Sequence, residues 1–387
     1  MNKKIIFGLV ALCGIMLSAC STNNNIKDDD NKFTITDSVG REMELVKGSY
    51  KKVVCIGAGA LRLYSYIGEA NLLAGVEDIE NESLTSRPKM FDNVARPYVL
   101  ANEDVYKTLP SVGVGGPNAQ AAEAEKILSC DPDIVISEYE DKDKADALSK
   151  QLGVPVFTVG YGSSGVFDAK VATSLTNLGK IFDKEEKAKS LNSFIAESKK
   201  EIFDKTASIA ETDKKNVYIG GLGNWGTTTY LTTAKNYEPF KVAHINNICD
   251  AEGNLAKDGI QAIEKEKFVS LGDDIDFMIL DAASVKNIKP LYKKDNTIFD
   301  SVKAWKEGKV YLQMAYNAYY TNLEIALINT YYNAMVVYPD LFVDYNIETI
   351  TNKVTKAFLG KELNTDIKSK PFSYGGYQQI DTSTFFN

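Results

Sequence analysis

Three blocks of sequence occur twice along the chain in the same order, and this internal repeat limits the possible folds more than any other feature. Each unit holds an apolar run ending in glycine, a Glu- and Lys-rich helical stretch that leads into a second apolar run, and a third apolar run. The repeat pairs residues 52–57 with 215–220, 122–136 with 263–280 and, more weakly, 154–159 with 309–314. Short apolar runs that alternate with helical stretches indicate parallel strands covered by helices. The sequence therefore predicts an α/β protein of two similar lobes, each a mainly parallel sheet flanked by helices.

One long, rigid helix is predicted between the two lobes. Residues 184–209 carry apolar side chains at helical spacing and contain neither glycine nor proline. At about 1.5 Å per residue, such a helix would extend for roughly 40 Å, so we expect small opening and closing motions. The predicted boundaries are an N-terminal lobe at 33–183, a linking helix at 184–210, and a C-terminal lobe with its tail at 211–387.

The N-terminus has the pattern of a lipoprotein signal peptide. Lys3 and Lys4 precede an apolar run, and residues 17–20 read Leu-Ser-Ala-Cys, the small-residue pattern of a bacterial lipobox. A bilayer-spanning helix needs roughly 20 apolar residues, so cleavage before Cys20 is favoured over an uncleaved anchor helix. We expect a signal peptide at 1–19, an acyl chain on Cys20 and a flexible tether at 20–32. This places the protein at the extracytoplasmic face of the cell membrane, anchored by its lipid.

Composition disfavours several classes of function. The formal net charge of −8 argues against nucleic acid as a partner and against electrostatic docking on anionic lipid. His244 is the single histidine, so a zinc site or a Ser-His-Asp triad would depend on it, and we expect a packed or surface imidazole instead. Cys55, Cys130 and Cys249 are odd in number and widely spaced, which predicts small buried side chains and no disulfide framework. Neither a metal site nor a catalytic residue is predicted.

A series of short motifs carries a resemblance to a known family. Residues 36–41 (Thr-Asp-Ser-Val-Gly-Arg) resemble its N-terminal hairpin turn, and residues 131–136 (Asp-Pro-Asp-Ile-Val-Ile) resemble its most recognisable signature. Further landmarks match at 53–67, 73–77 and 109–113. From about residue 33 to 360, the chain resembles the substrate-binding lipoprotein of a bacterial ABC importer, in the class that serves iron-siderophores, haem and cobalamin. The segment 80–108 departs from this pattern, because it is longer than in the compact cobalamin-binding members.

The resemblance implies a monomeric, two-lobed binding protein that partners with an ABC permease and its ATPase. It implies no enzymatic activity and no cofactor, with a metal chelate as ligand. A ferric siderophore is the first expectation, haem the second, because a tyrosinate could ligate its iron, and a corrinoid the third. A bare zinc or manganese ion is disfavoured by the single histidine. Two alternatives stay open: a surface enzyme that acts on a tetrapyrrole or metal chelate, and a sensory receptor without transport.

Ligands of open α/β sheets bind beyond the carboxyl ends of the strands, so two facing lobes predict a cleft there. Two glycines open a helix whose free N–H groups favour an anionic ligand atom, unless they form only a tight turn. Three of the four arginines are candidates because a planar guanidinium suits carboxylate or catecholate oxygen, although a solvated arginine is the alternative. Aromatic side chains offer broad contact with a polar tip, and some of them will serve packing instead. The candidate ligand-binding residues are Gly57, Gly59, Arg62, Arg87, Arg96, Tyr139, Tyr161, Trp225, Tyr316, Asn317, Tyr319 and Tyr320.

Replacement of the lipobox cysteine tests the predicted anchor. Cys20→Ser removes the thiol that accepts the lipid, so the protein should be released from membranes or stay unprocessed. Membrane fractionation after growth with a labelled fatty acid measures this, and Cys130→Ser is the matched cysteine control that should keep the label. An acyl-labelled Cys20→Ser protein would contradict the prediction.

Overall fold

The computed structural model describes residues 31–116, 123–139, 141–223 and 228–386. The predicted signal peptide, Cys20 and Trp225 lie outside the described residues, so the predictions made for them stay predictions. The first strand begins at Lys32, the last residue of the predicted tether. None of the helices in the described ranges combines the length and the apolar character that crossing a membrane requires.

The secondary structure alternates short strands with helices along both halves of the chain. The strands are β1 (Lys32–Thr36), β2 (Glu42–Val46), β3 (Val53–Ile56), β4 (Leu73–Gly75), β5 (Ile134–Ser137), β6 (Val156–Thr158), β7 (Asn216–Gly220), β8 (Thr232–Lys235), β9 (Asn246–Asn247), β10 (Gly259–Ala262), β11 (Phe277–Asp281), β12 (Val310–Gln313) and β13 (Gln378–Gln379). The helices are α1 (Ala60–Ile67), α2 (Pro97–Tyr106), α3 (Ala124–Ser129), α4 (Lys142–Leu152), α5 (Ala169–Ile181), α6 (Glu185–Thr206), α7 (Glu238–Val242), α8 (Lys265–Leu271), α9 (Ala282–Lys294), α10 (Lys303–Lys306), α11 (Leu323–Val337), α12 (Ile347–Leu359) and α13 (Asn364–Ser369).

The repeated blocks form the centres of two sheets with matching strand order. The first-lobe sheet has the order β4-β3-β5-β6, and all its neighbouring strands are parallel. The second-lobe sheet has the order β9-β7-β11-β12-β13 and is parallel except at the edge strand β13. Every residue of β3 and of β5 is buried, as expected for strands covered by helices on both faces. The prediction of two similar, mainly parallel lobes is confirmed.

A single helix, α6, connects the lobes and packs on both. Its 22 residues extend for about 33 Å, and it ends at Thr206, shortly before the predicted end at 209. It contacts α5 of the first lobe, and it contacts α7, α11 and α12 from the second half of the chain. The Thr206 hydroxyl donates to the Ile202 carbonyl oxygen and lies 2.8 Å from Nδ1 of His244, which ties the last turn to the second lobe.

The C-terminal helices extend the contact between the lobes. Both α12 and α13 contact α2 of the first lobe, although the predicted boundaries assign them to the C-terminal lobe. The Phe358 ring on α12 meets the Tyr66 ring on α1 edge to face, with centroids 4.9 Å apart. The first lobe is therefore covered in part by the end of the chain.

The long segment at 80–108 forms a second connection between the lobes. The backbone N–H of Phe372 donates to the Asn93 carbonyl oxygen at 3.0 Å, and Lys370 Nζ lies 2.6 Å from the Glu82 carboxylate. Val94 packs with Ala315 and Ala318 of the second lobe in a small apolar cluster. This segment, which departs from the resembled family, braces one side of the interlobe junction.

Arg62, predicted to contact ligand, forms a third connection. Its side chain has no exposed surface, and Nε lies 4.0 Å from the Glu324 carboxylate, which is also buried. The guanidinium donates to three backbone carbonyl groups of the second lobe, those of Ala318 (2.5 Å), Tyr319 (3.0 Å) and Thr321 (2.9 Å). The guanidinium therefore binds the second lobe and is not part of the cleft lining, and ligand contact by Arg62 stays a prediction.

Arg62→Ala should lower stability sharply. The substitution leaves the buried Glu324 carboxylate without its cationic neighbour and three carbonyl groups without their donor, and breaking a buried pair in this way costs about 3–5 kcal/mol. Chemical denaturation measures the change in the free energy of unfolding. Arg87→Ala is the matched control, because Arg87 is partly exposed and its contacts to Asp92 and Leu84 stay within its own segment, and it should lose about 1 kcal/mol or less. Equal losses in the two variants would contradict the interlobe role of Arg62.

Ligand binding should move the lobes by only a few ångströms, because α6, the segment 80–108 and Arg62 connect them at separate places. Small-angle scattering with and without a bound ligand measures this, and a compound that does not bind serves as the control. A large drop in the radius of gyration on binding would instead indicate a flexible hinge.

Candidate functional site

The carboxyl ends of both sheets open into one cleft of about 480 Å³. This volume lies within the range of about 300–1,000 Å³ that is usual for small-molecule sites. From the first lobe, the lining residues are Ala58, Met90, Phe91, Val94, Glu138 and Gly162. From the second lobe, they are Gly223, Thr228, Ala283, Lys286, Asn287, Asn317, Tyr319, Tyr320 and Thr321. Residues that follow β3, β5, β6, β7, β11 and β12 therefore meet here, as in other open α/β sheets.

The predicted glycines form the turn that leads from β3 into α1. Gly57 and Gly59 have φ values of 87° and 89°, a region that side chains disfavour, and Ala58 between them lines the cleft. The N–H of Gly57 donates to Glu77 Oε1 at 3.1 Å, and the Gly59 carbonyl oxygen accepts from the Tyr161 hydroxyl at 2.8 Å. The Gly57 N–H, which was expected to meet an anionic ligand atom, is thus occupied by a carboxylate of the protein itself.

The loop after β12 places two predicted tyrosines in the cleft wall. Tyr319 and Tyr320 have φ values of 54° and 74°, and the left-handed region costs a residue other than glycine about 1–2 kcal/mol. A bridge between Asn317 and Thr321 closes the loop, and Arg62 binds its carbonyl groups from the first lobe. The Asn317 amide also donates to the Gly223 carbonyl oxygen at 2.9 Å. The loop is therefore held in one strained conformation before any ligand binds.

Behind this loop, the buried Glu77 joins the two lobes. Its Oε2 accepts from the Tyr319 hydroxyl at 2.8 Å, while its Oε1 accepts from Gly57. Burial raises the pKa of Glu77 to about 7, although the hydrogen bonds from Tyr319 and Gly57 act to lower it. Glu77 was not predicted as a site residue, and its sequence position directly after β4 was the available signal.

A second buried carboxylate, Asp281, lies at the end of β11 in the second lobe. Its carboxylate accepts from the N–H groups of Ala283 (3.0 Å) and Tyr316 (2.9 Å) and from the Gln313 amide (3.0 Å). Burial raises the pKa of Asp281 to about 7. It fixes the start of α9 and the start of the loop after β12, which are the two second-lobe elements that line the cleft.

Three predicted tyrosines pack behind or beside the cleft. Tyr161 is 1% exposed and its ring lies 4.4 Å from that of Tyr320, so it supports a lining residue. The buried Tyr316 meets the Tyr237 ring at 5.1 Å, and the half-buried Tyr139 packs against a cluster of the first-lobe core. None of the three is among the residues that line the cleft, so ligand contact by these tyrosines stays a prediction.

The two arginines of the long segment stabilise that segment. Arg96 is buried and pairs with Glu80 at 2.6 Å and Glu82 at 3.2 Å. Arg87 pairs with Asp92 at 2.8 Å and also donates to the Leu84 carbonyl oxygen. Neither side chain lines the cleft, because each guanidinium is taken up by carboxylates of its own segment.

Two groups of lining residues were missed by the sequence analysis. Met90, Phe91 and Val94 lie between the two arginines that were chosen in the same segment. Ala283, Lys286 and Asn287 have the i, i+3, i+4 spacing that places side chains on one face of a helix, here the first turns of α9. That spacing after a buried strand was a usable signal, whereas nothing in the sequence indicates where the segment 80–108 folds.

The cysteines and the histidine lie apart from the cleft lining. Cys55 and Cys249 are buried as predicted, and Cys130 is half-buried. His244 packs on the Phe203 ring with centroids 4.3 Å apart, which agrees with the expected packed imidazole. Within the described ranges, three or more His, Cys, Asp or Glu side chains nowhere group in a way that could hold a metal ion.

Comparison with known proteins gives one family and a set of structural relatives. Residues 68–315 match the sequence profile of the family described as periplasmic binding protein. A periplasmic solute binding protein from Veillonella parvula is similar in structure, with a TM-score of 0.68 and 19% identity over 92% of this chain and 100% of that chain. The molybdate-bound MolA of Haemophilus influenzae gives a TM-score of 0.65 and 15% identity over 85% and 98%. The petrobactin-binding protein YclQ of Bacillus subtilis gives 0.53 and 19% over 80% and 98%.

The two kinds of comparison have different weight. No curated protein sequence matches this chain. At such low identities the solved structures establish a shared fold alone. The family profile, in contrast, covers more than half of the 387 residues. The chain therefore belongs to the periplasmic binding protein family, the solute-binding components of ABC transporters, and its role is binding and not catalysis.

Proposed function

We propose that the protein captures an intact metal chelate in the interlobe cleft and delivers it to an ABC permease, with a ferric siderophore as the first candidate. The observation that carries the proposal is the cleft itself, with its volume of about 480 Å³ and its walls of mainly apolar, aromatic and neutral polar residues. A chelate brings its own metal ligands, so it needs from the protein only contact surface and a few oriented hydrogen bonds.

The lining chemistry supports a ligand with both apolar and polar surface. Phe91, Tyr319 and Tyr320 provide aromatic faces or edges, and the Phe91 and Tyr319 rings lie 5.9 Å apart. Asn287 and Asn317 line the second-lobe wall, each with its amide already oriented by a backbone carbonyl group. Such walls suit the organic shell of a chelate, which presents both apolar carbon atoms and polar oxygen and nitrogen atoms.

Haem is the second candidate, but the electrostatics disfavour Tyr319 as a ligand to its iron. Burial raises the pKa of Tyr319 well above its ordinary value, and the Tyr319 hydroxyl donates to Glu77. A tyrosinate ligand to haem iron is therefore disfavoured at Tyr319. A corrinoid, which needs no protein ligand to its metal, is the third candidate.

The structural relatives do not decide between ligands. One is a complex with molybdate and another is named for petrobactin, so a single fold serves a small oxyanion in one case and a siderophore in the other. The choice for this chain rests on its own cleft. The cleft of about 480 Å³ is far larger than a small oxyanion requires.

The proposal includes the membrane anchor and the transport partners. The lipobox supports acylation at Cys20, and the tether to residue 32 would let a monomer reach a permease and its ATPase in the same membrane. A sensory receptor would bind the same chelate without moving it. Uptake of radioactive iron chelate in cells that lack the gene separates these roles, because only a transport component is required for uptake.

Tyr320→Ala should weaken chelate binding about tenfold, because the ring is a partly exposed aromatic face on the cleft wall. Isothermal calorimetry with a panel of ferric siderophores, haem and cobalamin measures the affinity. Tyr311→Ala is the matched control, since Tyr311 lies towards the amino end of β12, away from the cleft, and should bind as the parent does. If Tyr320→Ala keeps full affinity for the chelate that the parent binds, the chelate does not occupy this cleft.

A further inference from the structure

We propose that the cleft selects chelates with a net charge close to zero, such as ferric trishydroxamates, over polyanionic ones such as ferric triscatecholates. This inference rests on the proposed function, because it concerns the charge of the chelate that the cleft receives. Three hydroxamates neutralise one ferric ion, whereas three catecholates leave a trianion. Selection between them is thus a question of how many cationic groups the cleft presents.

The charges on the cleft lining cancel. Among the described lining residues, Lys286 and Glu138 are the only charged side chains, one of each sign, and the other thirteen are neutral. Lys286 is an exposed side chain whose Nζ lies 5.0 Å from the Phe372 ring, so its charge is placed at the rim. A trianion in this cleft would meet one lysine and one opposing carboxylate.

All four arginines of the chain bind carboxylate or carbonyl groups of the protein itself, and none lines the cleft. Arg41 is buried and pairs with Asp37 at 2.6 Å. The guanidinium of Arg62 binds backbone carbonyl groups, and Arg87 and Arg96 pair with carboxylates of the segment 80–108. Arginine, whose planar guanidinium suits catecholate oxygen, is therefore absent from the described lining of the cleft.

The sequence adds no cation in the internal segments that lie outside the described residues. Residues 224–227, between the lining residues Gly223 and Thr228, read Asn-Trp-Gly-Thr, and residues 117–122 contain no charged side chain. Residue 140 is a glutamate. Whatever their placement, these segments cannot supply the positive charge that a trianion requires.

The electrostatics around the cleft also oppose a polyanion. The carboxyl group of Glu77 lies directly behind Tyr319, and the whole chain carries a formal net charge of −8. A polyanion that enters the cleft loses hydration without gaining enough cationic partners, and its approach is slowed by the like charge of the protein. A neutral chelate carries neither cost.

Calorimetry with three ferric probes of different charge tests the selection. These are ferrichrome, a neutral trishydroxamate; ferrioxamine B, a trishydroxamate with one ammonium group; and ferric enterobactin, a trianionic triscatecholate. The two hydroxamates should bind at least a hundredfold more tightly than the trianion. Glu138→Gln should shift the ratio of affinities about tenfold towards the trianion, since it removes the one lining carboxylate. Glu186→Gln, on the exposed face of α6, is the matched control and should leave the ratio unchanged.

The outcomes separate the inference from the proposed function. Tightest binding of ferric enterobactin would overturn the charge selection but leave capture of a chelate intact. An unchanged ratio in Glu138→Gln, with both classes bound, would also overturn it. Failure of all three probes, together with haem and cobalamin, would overturn both the selection and the proposed function.

Discussion

The buried guanidinium of Arg62 is the interaction on which the arrangement of the lobes and the cleft depends. It extends from α1 of the first lobe to three carbonyl groups of the loop after β12, which sequence places more than 250 residues away. The same guanidinium lies 4.6 Å from the centre of the Tyr98 ring and near Glu324, so its position is fixed from several sides. Because carbonyl oxygens point at one planar fork, the loop keeps two consecutive tyrosines in the left-handed region. The hydrogen bonds of one guanidinium thus hold both the two lobes and the shape of the cleft wall.

Two further buried carboxyl groups, those of Glu80 and Glu324, also bind partners within the protein. Glu80 pairs with Arg96 and accepts from the Tyr98 hydroxyl, and Glu324 accepts from the Tyr66 hydroxyl. Burial raises the pKa of both carboxyl groups, while the neighbouring arginines act to lower it. These groups form a polar layer between the lobes beneath the cleft. Arg62 Nε, Arg96 Nε and one oxygen of Glu324 have no hydrogen-bond partner in this layer, and none of these three residues lines the cleft.

The sequence was sufficient for the architecture because the relevant signals are local and repeated. Apolar runs in matching order predicted the equivalent strands β3, β5 and β6 and β7, β11 and β12, and an uninterrupted helical pattern predicted α6. The site was predicted less well, since its residues are brought together by contacts between distant segments. The sequence indicates that a helix opens at Gly57 and Gly59, but it cannot show that the face of α1 that carries Arg62 meets the second lobe. For the same reason, the sequence could suggest Arg62 as a ligand contact, because arginine is scarce in this chain, but it could not reveal the hydrogen bonds of Arg62 to the second lobe.

The central claim is that a cleft held in place by Arg62 receives an intact chelate without giving up its own polar contacts. A crystal structure of the protein with its bound ferric chelate, with anomalous data collected at the iron absorption edge, tests this most directly. The account predicts one iron position in the cleft between Ala58 and Asn317, no protein ligand on the iron, and the three Arg62 hydrogen bonds unchanged. Iron bound directly by protein side chains, or Arg62 released from the loop to contact the chelate, would contradict it.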